Sequence, residues 1–145
     1  MRETAFDLAR FKAAQDPVFE TALAELGDGQ KRSHWMWFVF PQLRRLGRSP
    51  TALPYGIVSI DEARAYLADH ILADRLRLAT EAANGVHGRS AHEIFGSPDD
   101  LKFRSSMTLF GMANGSPDSI FQQALDRYFD GEPDEHTLAL LRSGT

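Results

Sequence analysis

The chain contains no cysteine among its 145 residues. Disulfides, thiolate nucleophiles and cysteine-ligated zinc are thereby excluded, and a cytoplasmic location is the expectation. No apolar run approaches the ~20 residues that a membrane helix needs. The N-terminus, from Met1 to Asp7, has no apolar stretch of the kind a secretory signal carries. Motifs of catalysis and metal binding are equally scarce. His34, His70, His87, His92 and His136 are scattered, with no His-Glu-x-x-His among them. His87 and His92 stand five apart across Gly88 and share no helix face. Neither a Gly-x-Ser-x-Gly elbow nor a Walker-type glycine loop occurs. The pattern therefore asks for no metal and no cofactor.

Acidic residues are missing from one long window. Between Asp28 and Asp61 there is none, while Lys31, Arg32, Arg44, Arg45 and Arg48 fall inside it. The tail after Gly115 is the reverse, with six carboxylates against Arg127 and Arg142. The net charge of −4 argues against nucleic acid as a partner. The basic window can serve solubility, or it can form an anion site, since cations beside aromatics suit a phosphate next to a base.

Those aromatics are concentrated in Lys31-Arg32-Ser33-His34-Trp35-Met36-Trp37-Phe38-Val39-Phe40-Pro41-Gln42, which holds both tryptophans of the chain. Rings of this size bury the most area of any side chain, so the run belongs at the centre of the fold. It suits a buried strand as well as a helix. Because every neighbouring segment is helical, the expectation is a helix capped by Ser33 and ended by Pro41. His34 would then lie in its first turn.

Elsewhere helix boundaries are legible. Asp16-Pro17, Ser97-Pro98 and Ser116-Pro117 each place a capping residue before a proline. Ser59 to Glu62 and Ser90 to Glu93 fit the capping box. Apolar residues recur at helical spacing, as at Leu72, Leu76 and Ala79. The chain reads as all-α, a single compact domain (1–145) of seven to nine short helices. The stretch from Leu46 to Ser59, with two glycines and two prolines, reads as a loop with a short extended piece at Tyr55 to Val58.

A second constellation is Ser97 to Met112. Ser105, Ser106 and Thr108 fall mid-helix, where such residues are ordinarily neutral to unfavourable. They either bond back to the helix or form, with Lys102, a polar strip facing a ligand.

The aromatic run, Tyr55-Gly56-Ile57 and the block from Asp100 to Phe110 together resemble an uncharacterised domain family whose members are sometimes labelled calpastatin. The resemblance covers nearly the whole chain and implies an all-α fold. A calpain inhibitor would be largely disordered, and this sequence is too apolar and well capped for that. A remoter similarity is to ADP-ribose glycohydrolases of the NADAR type, small helical domains with an aromatic-histidine helix. Ser33 stands where those would carry a carboxylate just before the histidine.

Two functions are open on this reading. One is a small-molecule enzyme or binding protein for a phosphorylated, nucleotide-like ligand, with an ADP-ribose- or NAD-related N-glycoside hydrolase as its narrower form. Lys31, Arg32 and Lys102 would hold phosphate, Trp35 or Trp37 would stack on a ring, and His34 would be the acid/base, helped by Asp100. The other is a non-catalytic interaction module or homodimer with an aromatic patch. The first requires Lys31, His34 and Lys102 to point into one cleft, with Tyr55 at its rim.

Overall fold

The structure, a computed structural model, describes residues 6–46 and 55–143. Among them are nine α-helices: α1 (Ala9–Gln15), α2 (Phe19–Gly27), α3 (Met36–Val39), α4 (Ile60–Ala68), α5 (His70–Asn84), α6 (Ala91–Phe95), α7 (Asp99–Asn114), α8 (Ile120–Phe129) and α9 (Glu135–Arg142). A 3-10 turn spans Arg44–Leu46. No strand forms among the described residues; a lone parallel bridge pairs Leu43 with Ile57. The all-α expectation holds. None of the described helices is long and apolar enough to cross a membrane.

The capping signals work with some displacement. Ser90 and Glu93 form the complete reciprocal box that opens α6. At α4 the box is half-made. The Ser59 hydroxyl accepts from the Glu62 N–H, but the Glu62 carboxylate turns to the Val58 N–H (2.8 Å) and to Arg10 (3.0 Å). The serine-proline pairs mark turns just ahead of their helices. Ser97-Pro98 is a cis peptide, and α7 begins at Asp99 without a side-chain cap. Ser116 instead accepts from the Asp118 N–H, so α8 starts three residues beyond Pro117 and is capped by Ser119. Asp16 closes α1 rather than opening α2. Asp134 caps α9 through the Thr137 N–H.

α7 is the central element. It packs against α4, α6, α8 and α9, and buries Phe103 and every residue from Ser105 to Phe110. Rings radiate from it. Phe103 stacks on Phe95 at 4.5 Å and meets Phe40 edge-on at 5.0 Å. Phe110 touches Tyr66 at 5.0 Å and Phe121 at 5.9 Å. These contacts belong to one hydrophobic cluster in which Trp35, Phe11, Phe40 and Tyr66 are fully enclosed. Burying a ring of this kind contributes about 1.5–3 kcal/mol relative to leaving it exposed.

The aromatic run needs correction in detail. It is helical, but only over Met36–Val39, with Trp35 at the flank and no side-chain cap. Ser33 is not the cap, and His34 lies outside the helix. The cause is Glu25, a buried carboxylate at the end of α2. It accepts from the N–H groups of Arg32 (2.7 Å) and Ser33 (3.0 Å), from the Ser33 hydroxyl (2.6 Å) and from the Trp35 indole (2.9 Å). Residues 32–35 fold around that charge instead of continuing as helix. The two tryptophans part company as a result. Trp35 enters the core, and Trp37 stays half-buried.

Candidate functional site

A cleft lies where α3 ends. Its walls are apolar at Met36, Phe40 and Leu43, aromatic at Trp37 and Tyr55, and polar at Gln42, Arg44 and Lys102. It spans ≈ 310 Å³ including its opening to solvent, of which ≈ 20 Å³ is free space between the walls. Among the described residues, no acidic side chain lines it.

Two distant stretches are zipped together to form one wall. The Arg44 N–H donates to the Ile57 carbonyl (2.8 Å), and the Ile57 N–H donates to the Gln42 carbonyl (2.9 Å). Gly56 is pressed so closely against Arg44 that only a residue without Cβ fits. Its carbonyl accepts from Arg10 (3.0 Å), whose own charge is met by Glu62. Tyr55 is set edge-on against Phe38, 4.8 Å between centroids. The opposite wall is the first turn of α7, which supplies Lys102.

Lys102 sits with its ammonium 5.0 Å from the centroid of Trp37. It is paired with Asp99 at 3.6 Å, one turn back on the same helix. Asp99 also binds Lys31 at 2.9 Å, and Lys31 in turn lies 5.3 Å from the Trp35 ring. Lys31 and Lys102 are thus joined by one carboxylate, although Lys31 does not line the cleft. A cation over an indole face gains about 0.5–1 kcal/mol when exposed, and more when desolvated.

Two donors at the cleft lack partners. Trp37 Nε1 and Arg44 Nε are both buried without a hydrogen bond. An unsatisfied buried donor costs about 1–3 kcal/mol, and buried polar groups are rarely left so. Two in one cleft suit an oxygen-bearing ligand.

Other sequence-predicted residues lie elsewhere. His34 is exposed and does not line the cleft. Asp100 faces His92, at 3.5 Å, rather than His34. Arg32 is exposed and pairs with Asp28 at 3.2 Å. Ser105 and Thr108 are buried and donate to the Leu101 and Arg104 carbonyls one turn back, at 3.1 and 2.8 Å. Thr108 also accepts from the Asp134 N–H, tying α7 to the start of α9. Ser106 is fully enclosed, and its hydroxyl has no partner. None of the three hydroxyls shares the cleft with Lys102 in the way a polar strip would, although Thr108 borders a separate groove near α9. Conversely, Gln42, Arg44 and Gly56 line the cleft, and sequence reasoning did not mark them as site residues. Arg44 carries the one signal that pointed there, its place in the acid-free window.

The Glu25 carboxyl supports this corner from behind. Burial would push it up, but four hydrogen bonds outweigh that and hold it well below its ordinary 4.5, at about 2. The aromatic run is therefore anchored by a charge that persists through the physiological range. Among the described residues, no three His, Asp or Glu side chains gather as metal ligands would.

Residues 5–141 match the family model described as "Protein of unknown function (DUF1810)". The chain belongs to this family. No curated protein matches it. A solved structure is similar throughout: the crystal structure of the conserved hypothetical protein Rv1873 from Mycobacterium tuberculosis. That protein is 53% identical, superposes with a TM-score of 0.91, and the match covers 94% of this chain and 97% of that one. Family and fold are fixed by these likenesses, and activity is not.

Proposed function

We propose that the cleft between α3, the 42–46 segment, Tyr55 and Lys102 binds a phosphorylated, nucleotide-like ligand. One observation carries this reading: among the described residues, two cations, two unpartnered buried donors and three aromatic rings line a cleft without an acid. Arg44 offers a planar fork suited to phosphate oxygens, and Lys102 a mobile point charge. Tyr55, at the rim, is placed to meet a sugar or base.

The narrower form, hydrolysis of an ADP-ribose- or NAD-related N-glycoside, needs an acid/base within reach of the bound ligand. His34 would have to act from outside the cleft, and Asp100 is turned to His92. Binding is therefore the better-supported half of the reading. The alternative is a non-catalytic interaction module or homodimer. In the form that uses the aromatic run, the surface on offer is small, since Trp35 and Phe40 are enclosed and Trp37, Phe38 and Tyr55 half-buried.

A thermal-shift screen with nucleotides, sugar phosphates and ADP-ribose tests the proposal. A ligand at ~100 times its dissociation constant adds about 2.7 kcal/mol of stability. If none of these compounds stabilises the protein at millimolar concentration, the ligand class is wrong.

A further inference from the structure

The cleft distinguishes between kinds of phosphate. The charged and unpartnered groups on offer are donors: the Trp37 indole N–H, the Arg44 Nε–H, the rest of the Arg44 guanidinium and the Lys102 ammonium, with Gln42 and Tyr55 able to donate beside them. Such a set matches a group rich in acceptor oxygens with no hydrogens of its own. The charge count points the same way. The cations lining the cleft are Arg44 and Lys102; Lys102 stands 3.6 Å from Asp99, which is already engaged by Lys31 at 2.9 Å. Arg44 has no acidic partner among the described residues. Two positive charges fit a dianion.

Size adds a third constraint. Free space in the cleft is ≈ 20 Å³, where one water needs about 10–15 Å³. A single terminal group enters with less displacement of the walls than two bridged phosphates would need. Finally, one face of Trp37 is already covered by Lys102. Its N–H edge carries the one polar group of the ring, and that group has no partner.

Building on the ligand-binding reading above, we infer that the cleft takes the terminal, dianionic phosphate of a phosphomonoester, with Trp37 Nε1–H, Arg44 and Lys102 as its donors. The remainder of the ligand lies toward Tyr55 and the opening. A bridging diphosphate, as in ADP-ribose, carries one charge per phosphorus and an ester on each side, so it offers these donors fewer free oxygens and less charge at any one phosphorus. Both unpartnered donors are shielded from water, so side chains of the wall shift when the phosphate enters.

The two indole N–H groups make this measurable by ¹H–¹⁵N correlation spectroscopy on the intact chain. Trp35 Nε1–H is already bonded to Glu25, and W37F identifies the Trp37 signal by its loss. Titration with ribose 5-phosphate or inorganic phosphate is expected to move the Trp37 signal downfield saturably and leave the Trp35 signal in place. ADP-ribose should bind at least tenfold more weakly by the same signal, and R44Q should abolish the response to ribose 5-phosphate. If a nucleotide stabilises the protein while the Trp37 signal stays still, the ligand-binding reading survives and this inference falls. If ADP-ribose moves that signal as readily as ribose 5-phosphate, selection for a terminal phosphate is wrong. If no compound stabilises the protein or moves either signal, both readings fall together.

Discussion

A Cβ placed on Gly56 would lie 2.3 Å from the Arg44 Cα. The obstacle is backbone, which no rotamer change relieves. The Leu43–Ile57 bridge can form at this spacing only because position 56 is bare, and Arg44 is held in the cleft wall by that same bridge.

Gly56→Ala is therefore expected to destabilise the protein by about 1–3 kcal/mol, the usual cost of overpacking. It should also abolish phosphate-dependent stabilisation. Gly27 provides the control. It ends α2 with an ordinary backbone, and a methyl group there would meet nothing within 4 Å. Gly27→Ala should stabilise by about 0.4–1 kcal/mol by restricting the unfolded chain. Urea melts of both variants, compared at equal slope, read the contrast directly.

The Glu25 network predicts an acid-sensitive fold. Its carboxyl lies at about 2 in the folded chain against an ordinary 4.5. A depressed value contributes stability that is fully present above the unfolded value and is lost as pH falls towards the folded one. Stability should drop by about 3 kcal/mol between pH 5 and pH 2 on this account, at 1.36 kcal/mol per unit. In Glu25→Gln that portion of the slope should disappear, and the variant should be less stable at pH 7. A wild-type slope unchanged in E25Q would assign the acid sensitivity to other carboxylates.

The tryptophans should separate in mutagenesis. Trp35 is fully buried with its N–H bonded to Glu25, so Trp35→Ala should cost about 3–5 kcal/mol. Trp37→Phe keeps a ring beneath Lys102 and removes a donor that has no partner. The lost ring area and the removed unpaired donor act in opposite directions, so the net change should stay well below the cost of Trp35→Ala. Denaturant midpoints measured by far-ultraviolet circular dichroism avoid the change in fluorescence.

Lys102 tests the cleft without burdening the fold. It is partly exposed, and Asp99 retains Lys31 when it is removed. Lys102→Ala should leave folding within about 0.5 kcal/mol and weaken a phosphate ligand by about 1.5–3 kcal/mol, the worth of a charge-assisted hydrogen bond. Calorimetric titration with ribose 5-phosphate measures the second figure. An unchanged affinity would remove Lys102 from the site.

Helical class, helix number and the Ser90 capping box were readable because each depends on a few neighbours in the chain. The same locality explains the errors. Ser33 looks like a cap until Glu25, eight residues earlier, is seen to claim its hydroxyl and N–H. Ser116 precedes a proline as a cap would, yet Ser119 does the capping. The site was half-legible. The acid-free window, the long loop and Lys102 do contribute Arg44, Tyr55 and one cation to a single cleft. Which cation of the window enters it depends on the Leu43–Ile57 pairing, and that pairing joins segments too short and irregular to show a strand pattern. Likewise nothing near Asp100 reveals that its neighbour across space is His92.

The cleft also has unequal walls. Lys102 rides on the helix that packs against four others, so its backbone is released only when the whole structure comes apart. Across from it, Arg44 and Tyr55 are held by the two-bond pairing at Leu43 and Ile57, by the Arg10 anchor at Gly56 and by the contact of Tyr55 with Phe38. One jaw is a long helix and the other a short pairing. In hydrogen exchange, the amides of Phe103 to Phe110 should exchange at the rate of global unfolding, and those of Arg44 and Ile57 sooner. A ligand in the cleft would then show itself as slowed exchange at Arg44 and Ile57.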